Sequence, residues 1–418
     1  MIFTSWGSNV RRVVVTGVGV LAATGKEPES FINNLIEGRS GIRRIQQFDP
    51  SALSVQIAAE IPDYKGTDYF PAKRLDLIDR FTEFGLIAAK QAVESSGLEV
   101  SDEERPRFGV MMGAGMGGAR TYELGYCSLF AKGATRVHPF TIPKSMHNAA
   151  TSQICMEYGA QGPSLATSTA CSSAGHAIGE AFRHIKFNLA DVMLAGGSES
   201  PVTFGIMRFW ESVRVMATGN GDPSHACRPF SADREGLVIG EGAAVLVLEE
   251  LERATHRGAK IYGEIAGYGL SSDAGHITQP TVDGPARAIR MALDEAGINP
   301  EDIDYINAHG TGTRLNDATE TLVVKKVFGE HARKLAISST KSMHGHAMGA
   351  TAALELAATL LAMDRGVIPP TANYTTPDPE CDLDYVPNQA REAPFCAALS
   401  NSFAFGGLNA VLLVRKFQ

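Results

Sequence analysis

The sequence is short of cysteine: six occur in 418 residues, at positions 127, 155, 171, 227, 381 and 396, with no paired spacing. The absence of any Cys-x-x-Cys pair argues against a zinc ribbon or a dithiol redox centre. Long apolar runs are missing as well. No stretch reaches the roughly 18 residues of a membrane-spanning helix. The nearest, Ala350–Met363, is interrupted by Glu355. Met1 to Arg11 holds no apolar stretch long enough for a secretory leader. A basic excess is lacking too, since 38 Lys+Arg stand against 46 Asp+Glu for a net charge of −8. That balance disfavours general binding to nucleic acid or to an anionic membrane. There is no low-complexity tract and no Pro- or Ser-rich linker. The expectation is a cytoplasmic soluble protein with reduced thiols, long enough to bury a large core.

Glycine is plentiful, at 43 residues, and it punctuates apolar runs. Arg12–Thr16 followed by Gly17 and Gly19 reads as a buried strand and turn, and so do Arg107–Met112 before Gly113 and Asp191–Ala195 before Gly196-Gly197. Helical periodicity covers Asp76–Ser96, Ala174–Asn188, Gly284–Ala296 and Ala350–Arg365. Strands alternating with helices predict an α/β fold. Two passages echo each other: Phe230–Glu250 and Ser402–Phe417 each carry glycines and then an apolar run. Val13–Gly19 and Ile261–Gly269 form a second such pair. The alternative is chance recurrence of Gly-rich hairpins. The reading adopted is a duplicated unit with halves 1–259 and 260–418 sharing one core.

Four stretches carry candidate chemistry. In Ser164–Gly175, a strand ends at a small-residue turn that holds Cys171 and opens a helix. A thiol at a helix N-terminus meets unpaired N–H groups and the positive dipole end, which predicts a lowered pKa. A small buried core thiol is the plain alternative. In Asn307–Thr313, a strand runs into His309 on a Gly/Thr loop, where imidazole can donate a hydrogen bond or move a proton. Thr311 and Thr313 suit an amide-containing substrate arm, although a lone loop histidine is often a surface residue. In Ser338–Ala350, another strand enters a polar loop with Lys341, His344 and His346. Glu355, in the apolar helix beyond, is a candidate counter-charge for Lys341, because a charge there is costly unless paired. The His-Gly-His triplet lacks a third metal ligand at ordinary spacing, so no metal is expected. Asn401–Asn409 offers turn N–H groups that can face an oxyanion and two phenylalanines that can wall a channel. A β-turn with core aromatics is the alternative. One thiol with one imidazole suits a thiol hydrolase. A second imidazole fits stabilisation of an enolate formed after the thiol has been acylated.

With these motifs the sequence resembles, over essentially its whole length, the β-ketoacyl-acyl-carrier-protein synthases of the condensing-enzyme family, most closely the type II elongating synthases. The motifs that carry the likeness are Thr169–Ser173, Asn307–Thr313, Lys341–His346 and Asn401–Gly407. The resemblance implies a thiolase-like five-layer α-β-α-β-α fold, usually a homodimer, with a heterodimer with a related synthase subunit as the alternative. It implies that Cys171 holds the acyl chain and that the N–H groups of Cys171 and Phe405 form an oxyanion hole. His309 and His346 would stabilise the enolate left by decarboxylation of malonyl-carrier protein. Lys341 and Glu355 would order the loop of His346. Thr311 and Thr313 would bind the pantetheine arm, and Phe405 would act as a gate. The phosphopantetheine arrives on an acyl carrier protein, so no other cofactor is implied.

Several positions depart from the family pattern. Ala404 stands where Gly is usual and predicts a stiffer gate loop, since Ala disfavours positive φ. His344 replaces a Thr and could shift the pKa of His346. Leu408 also replaces a Thr, and Arg314 stands where Pro is frequent. Met116 and Trp210 are expected beside the acyl pocket. These changes point toward a specialised type II pathway, such as an aryl-polyene or polyketide-like chain. For an acidic carrier, Lys73, Arg74, Arg80, Arg136 and Lys144 are candidate landing residues. A non-catalytic partner subunit would be expected to lack Cys171, and a thiolase would need a second active cysteine that Cys396 does not resemble.

Overall fold

Val13-Val14-Val15 opens a run without polar alternation, the pattern of a strand covered on both faces. All ten residues of β1 (Val13–Ala22) are buried. The computed structural model describes residues 10–417. It places β1 in a ten-stranded sheet with β2 (Phe108–Gly113), β3 (Ser164–Thr167), β4 (Val192–Glu199), β5 (Gly242–Glu250), β6 (Gly263–Ser272), β7 (Tyr305–Asn307), β8 (Ala336–Ser338), β9 (Ala397–Phe403) and β10 (Leu408–Arg415). The order across the sheet is β8-β7-β9-β10-β6-β1-β5-β4-β2-β3.

This order contains a repeat. Outward from the centre, the first half runs β1-β5-β4-β2-β3 and the second β6-β10-β9-β7-β8. The strand senses repeat as well. β2 is parallel to β3 and β4, while β5 is antiparallel to β4 and β1. β7 is parallel to β8 and β9, while β10 is antiparallel to β9 and β6. The sets meet where Val13–Val15 pairs antiparallel with Gly263–Ile265.

Helices complete the layers. α1 (Arg80–Ser96) covers β1 and β5 on the outside of the first set. α3 (Asp283–Ala296) covers β6 and β10, with α4 (Arg314–Phe328) beside it. Between the sets lie α2 (Ser173–Lys186) and α5 (Thr351–Arg365). α2 packs on β2 and β4 of its own half and on β10 of the other, and α5 packs on β9 and on β5. The layering is therefore α-β-α-β-α, as the resemblance implied. Every residue of α5 from Thr351 to Met363 is buried, Glu355 included.

Two local expectations need correction. The helix expected from Asp76 begins at Arg80, because the Asp79 carboxylate accepts the Phe81 N–H (3.2 Å) as an N-cap. The turns expected at Gly17 and Gly19, and at Gly196-Gly197, lie within continuous strands, with only a shift of register between Val15 and Gly17. These glycines serve close approach. A Cβ on Gly19 would lie 1.9 Å from the Ala88 carbonyl oxygen of α1, and one on Gly17 would lie 2.2 Å from that of Ala92. The second half repeats the device, with Gly269 and Gly267 at 1.8 and 2.1 Å from the carbonyl oxygens of Ala288 and Ala292 in α3. Glycine thus lets each outer helix sit directly on its strand.

Gly19→Ala should push α1 off β1 and cost about 3 kcal/mol or more in urea unfolding. Gly221→Ala, where nothing lies within 4 Å of the new Cβ, should leave the midpoint unchanged. An unshifted midpoint for Gly19→Ala would contradict the close approach.

Candidate active site

β3 ends at Thr167, and the chain turns through Ala170, which holds the left-handed φ of 50°. Cys171 sits in the short turn Ala170–Ser172 that feeds α2. The second half repeats this geometry after β8, where Met348 has φ 45° and opens the turn Met348–Ala350 that feeds α5. Non-glycine residues avoid this region, and such strain clusters at functional sites. The Ser172 hydroxyl lies 2.9 Å from the Ser402 carbonyl and 2.7 Å from that of Leu408. The cysteine turn is thereby tied to the fourth motif across the interface of the halves.

Cys171 is buried, and burial pushes its thiol up to about 11. Lys341 and the backbone N–H groups of Phe405 and of Cys171 itself pull the other way. The sequence predicted a lowered pKa. Desolvation outweighs the helix terminus because the sulfur lies beneath the surface. The two N–H groups nevertheless reach the sulfur, where an oxyanion formed on an attached carbonyl would lie.

His309 and His346 reach the same point from β7 and β8. The Cys171 sulfur and a ring nitrogen of each histidine lie within 4.8 Å of one another. The imidazole centroids are 5.7 Å apart at 87°. Both rings are buried, and desolvation together with Lys341 holds both pKa values well below the ordinary histidine range. Both rings are therefore neutral at pH 7. The His346 tautomer follows from its neighbours. Its Nδ1 accepts the Met348 N–H (3.0 Å) and lies 2.9 Å from the Thr351 hydroxyl. The ring proton is consequently on Nε2, which makes that edge a donor.

Lys341 binds this cluster together. Its buried ammonium pairs with Glu355 and donates to the His309 carbonyl oxygen. Burial raises the Glu355 carboxyl to about 7 even with Lys341 beside it. The pair expected from the sequence is formed, and it holds the His309 loop directly. The Cys171, His309 and His346 donors also have the spacing of a small metal site. The positive charge in the cluster already belongs to Lys341, which repels a second cation.

Sequence reasoning missed three buried carboxylates. Glu320 on α4 accepts the His309 and Gly310 N–H groups, both at 2.8 Å, and the Asn401 side-chain amide at 3.3 Å. Asp317, one turn earlier, accepts the Gly312 N–H (3.3 Å) and the Phe230 N–H (2.8 Å). Their spacing of three residues just after the Thr loop was the available signal, since it puts both on one helix face. Glu199, at the end of β4, accepts the N–H groups of Gly115 (2.5 Å), Met116 (3.0 Å) and Gly349 (3.1 Å). A lone acid closing an otherwise small and apolar strand was its signal.

A cavity of about 420 Å³ leads to the cluster. Cys171, His309, His346, Thr311, Thr313, Ala404, Phe405 and Trp210 all line it. The two threonine hydroxyls are 2.9 Å apart. Trp210 stacks on Phe405 with centroids 5.9 Å apart at 28°. Met116 does not line this cavity; its backbone is held by Glu199. Ala404 is not in the left-handed region. Gly406 and Gly407 take those angles, at φ 83° and 69°, so the alanine does not stiffen the loop in the way the sequence suggested. His344 is neutral, with Nδ1 donating to the Gly345 carbonyl and its pKa pushed down to about 3 by burial. Its influence on His346 ranks below desolvation and Lys341.

The basic patch also changes. Arg80 is 11% exposed and pairs with Glu241 at 2.7 Å, lying over the rings of Tyr64 and Phe84. Arg74 pairs with Glu157 at 2.7 Å. Arg80 is therefore a packed structural cation and not a landing residue, while Lys73 and Arg136 stay exposed.

A thiol held near 11 is protonated at pH 7, with a thiolate fraction of roughly one in ten thousand. Its alkylation by iodoacetamide, followed by peptide mass spectrometry at Cys171, should rise about tenfold per pH unit from 7 to 9. A plateau below pH 8 would show that the N–H groups and Lys341 outweigh burial.

The family description "Beta-ketoacyl synthase, N-terminal domain" matches residues 10–254, and "Beta-ketoacyl synthase, C-terminal domain" matches residues 262–375. The chain is 47% identical over 406 residues to nodulation protein E of Rhizobium sp. (strain N33), covering 97% of this chain and 99% of that one. It is 43% identical over 413 residues to 3-oxoacyl-[acyl-carrier-protein] synthase 2 of Staphylococcus aureus (strain N315), covering 98% and 100%. Among solved structures, the ishigamide ketosynthase/chain length factor superposes with a TM-score of 0.92 at 36% identity, covering 98% of this chain and 100% of that one. With both domain descriptions matched and relatives aligned end to end, the chain belongs to the beta-ketoacyl synthase family.

Proposed function

We propose that the protein is a 3-oxoacyl-[acyl-carrier-protein] synthase that elongates a fatty-acid- or polyketide-like chain by decarboxylative Claisen condensation. The observation that supports this most directly is the meeting of one sulfur and two neutral imidazoles at the end of a threonine-lined cavity. The Cys171 sulfur attacks the thioester of an acyl carrier protein. The acyl group passes to sulfur, and the thiol proton leaves with the departing pantetheine thiol. The N–H groups of Cys171 and Phe405 stabilise the oxyanion. Malonyl-carrier protein then enters, with Thr311 and Thr313 binding its arm. His309 and His346 donate to its thioester oxygen, carbon dioxide departs, and the enolate forms. Its carbon attacks the acyl-sulfur carbonyl, and Cys171 leaves and regains a proton. Lys341 and Glu355 position the His309 loop.

In this reading the half 1–259 supplies the nucleophile and the half 260–418 both histidines. The protein works in the cytoplasm, where its thiols stay reduced, and no helix among the described residues is long and apolar enough to cross a membrane. It pairs with a second synthase chain, its own copy or a related subunit. The exposed edge strand β3 and the exposed ring stack of Tyr126 and Phe130 supply apolar surface for that contact. A non-catalytic subunit is disfavoured by the joint presence of Cys171, His309 and His346. A thiol hydrolase is disfavoured by the second imidazole.

Cys171→Ala should abolish acyl-enzyme formation, read by intact mass, yet keep some release of carbon dioxide from malonyl-carrier protein. His309→Ala and His346→Ala should each lose decarboxylation by about 10²–10³-fold while Cys171 still accepts acyl groups. Retained condensation in the cysteine variant, or normal carbon dioxide release in a histidine variant, removes that residue from the mechanism. Because both imidazoles are held neutral, decarboxylation should not fall as pH drops from 8 to 6. A fall centred near 6.5 would mean that their burial is relieved in solution.

A further inference from the structure

Glu199 closes β4 and is fully buried, yet the condensation described above makes no use of it. Among the described residues no cation pairs with it, and backbone N–H groups meet its carboxylate instead. Oε2 accepts from Gly115 (2.5 Å) and Gly349 (3.1 Å), and Oε1 accepts from Met116 (3.0 Å). Gly349 belongs to the second half and follows the strained Met348, whose φ is 45°. The two peptide N–H groups that flank the Met348 α-carbon are both engaged. Its own N–H donates to His346 Nδ1 (3.0 Å), and the next donates to Glu199. A non-glycine residue keeps left-handed angles only where its surroundings fix them. Relaxation of that φ would turn one of the two peptides away from its acceptor.

The Met348 N–H also decides which nitrogen of His346 carries the proton. The His346 backbone is fixed by other groups: its N–H donates to the Val238 carbonyl (2.7 Å), and its carbonyl accepts the Gly240 N–H (2.8 Å). The second neighbour of Nδ1, the Thr351 hydroxyl at 2.9 Å, can donate or accept and so fits either tautomer. A peptide N–H can only donate. We propose that Glu199 is a positioning residue for His346: by taking the Gly349 N–H, its carboxylate holds the Met348 turn so that the Met348 N–H stays on Nδ1 and Nε2 stays a donor. A carboxylate of the first half thus sets the tautomer of an imidazole on the second. The two loops it joins leave no room for a side chain between them, since a Cβ on Gly349 would lie 2.2 Å from the Gly115 nitrogen. The proposal deepens the synthase reading, and its consequence for rate rests on that reading, whereas the tautomer can be read without it.

The test is nitrogen-15 NMR of the full-length protein, with the His346 ring assigned by its loss in His346→Ala. The wild type should show one His346 form, protonated on Nε2. Its Gly349 amide should exchange with solvent at least about a hundredfold more slowly than a free peptide. Glu199→Met, which keeps the volume and removes the acceptors, should add a form protonated on Nδ1. It should also lower carbon dioxide release from malonyl-carrier protein by on the order of 10²-fold, with acylation of Cys171 within about twofold of the wild type. Glu199→Gln retains a carbonyl oxygen for the Gly115 and Gly349 N–H groups and should keep the Nε2–H form. Four results overturn the proposal: a wild-type His346 protonated on Nδ1, a fast-exchanging Gly349 amide, a folded Glu199→Met with only the Nε2–H form, or a Glu199→Gln no better than Glu199→Met. The first two need no variant and decide the matter even if Glu199→Met does not fold. Loss of the Nε2–H form with carbon dioxide release unchanged would leave Glu199 in its role and remove His346 from the proposed reaction.

Discussion

One buried ammonium holds the site together. Lys341 sits where water cannot solvate it, so it must be met by protein groups, and the Glu355 carboxylate and the His309 carbonyl meet it. Removing either charge would strand the other in the core, at a cost of several kcal/mol. The same ammonium acts through space on everything near it. It lowers the proton affinity of both imidazoles and draws the thiol downward against desolvation. Desolvation is the larger cause and the ammonium adds to it, so both imidazoles stay neutral with one N–H each, while the same charge fixes the His309 loop through its carbonyl.

The duplication explains how distant residues come together. Each half supplies a strand, a strained turn and a central helix, with Ala170 and Met348 in equivalent left-handed positions. The turns differ in cargo. The first carries sulfur immediately after its strained residue, and the second carries His346 just before it. Because α2 and α5 pack against each other and against strands of both halves, the two turns are fixed face to face. The glycines of β1 and β6 serve the same architecture from outside by letting α1 and α3 lie directly on their strands.

Buried carboxylates hold the loops in register. Glu320, Asp317 and Glu199 accept backbone N–H groups, which offsets the cost of placing charge in the interior. Burial still raises the Glu199 carboxyl to about 7. Two of these acids brace the His309 and Thr311 loop, and the third joins the Gly115 loop to Gly349 across the halves. The cavity beside them carries the hydroxyls of Thr311 and Thr313 on one wall and a mixture of apolar and charged side chains, Ile277 and Leu315 with Arg214 and Arg314, where it opens.

The amino-acid order alone determined the strand and helix alternation, the duplication, and the identity of Cys171, His309, His346, Lys341 and Glu355. Apart from the duplication, which shows as local patterns recurring in the same order, those features are local: a run of valines, a helical period, or a reactive residue at a strand end is visible within a few neighbours. Tertiary structure decided what depends on distance and burial. Gly17 and Gly19 look like a turn until α1 is known to lie on them. Cys171 looks activated by its helix until the depth of the sulfur is known. Arg80 looks like a surface cation until Glu241 is placed beside it. Desolvation and pairing are properties of surroundings brought from elsewhere in the chain, and no window of sequence contains them.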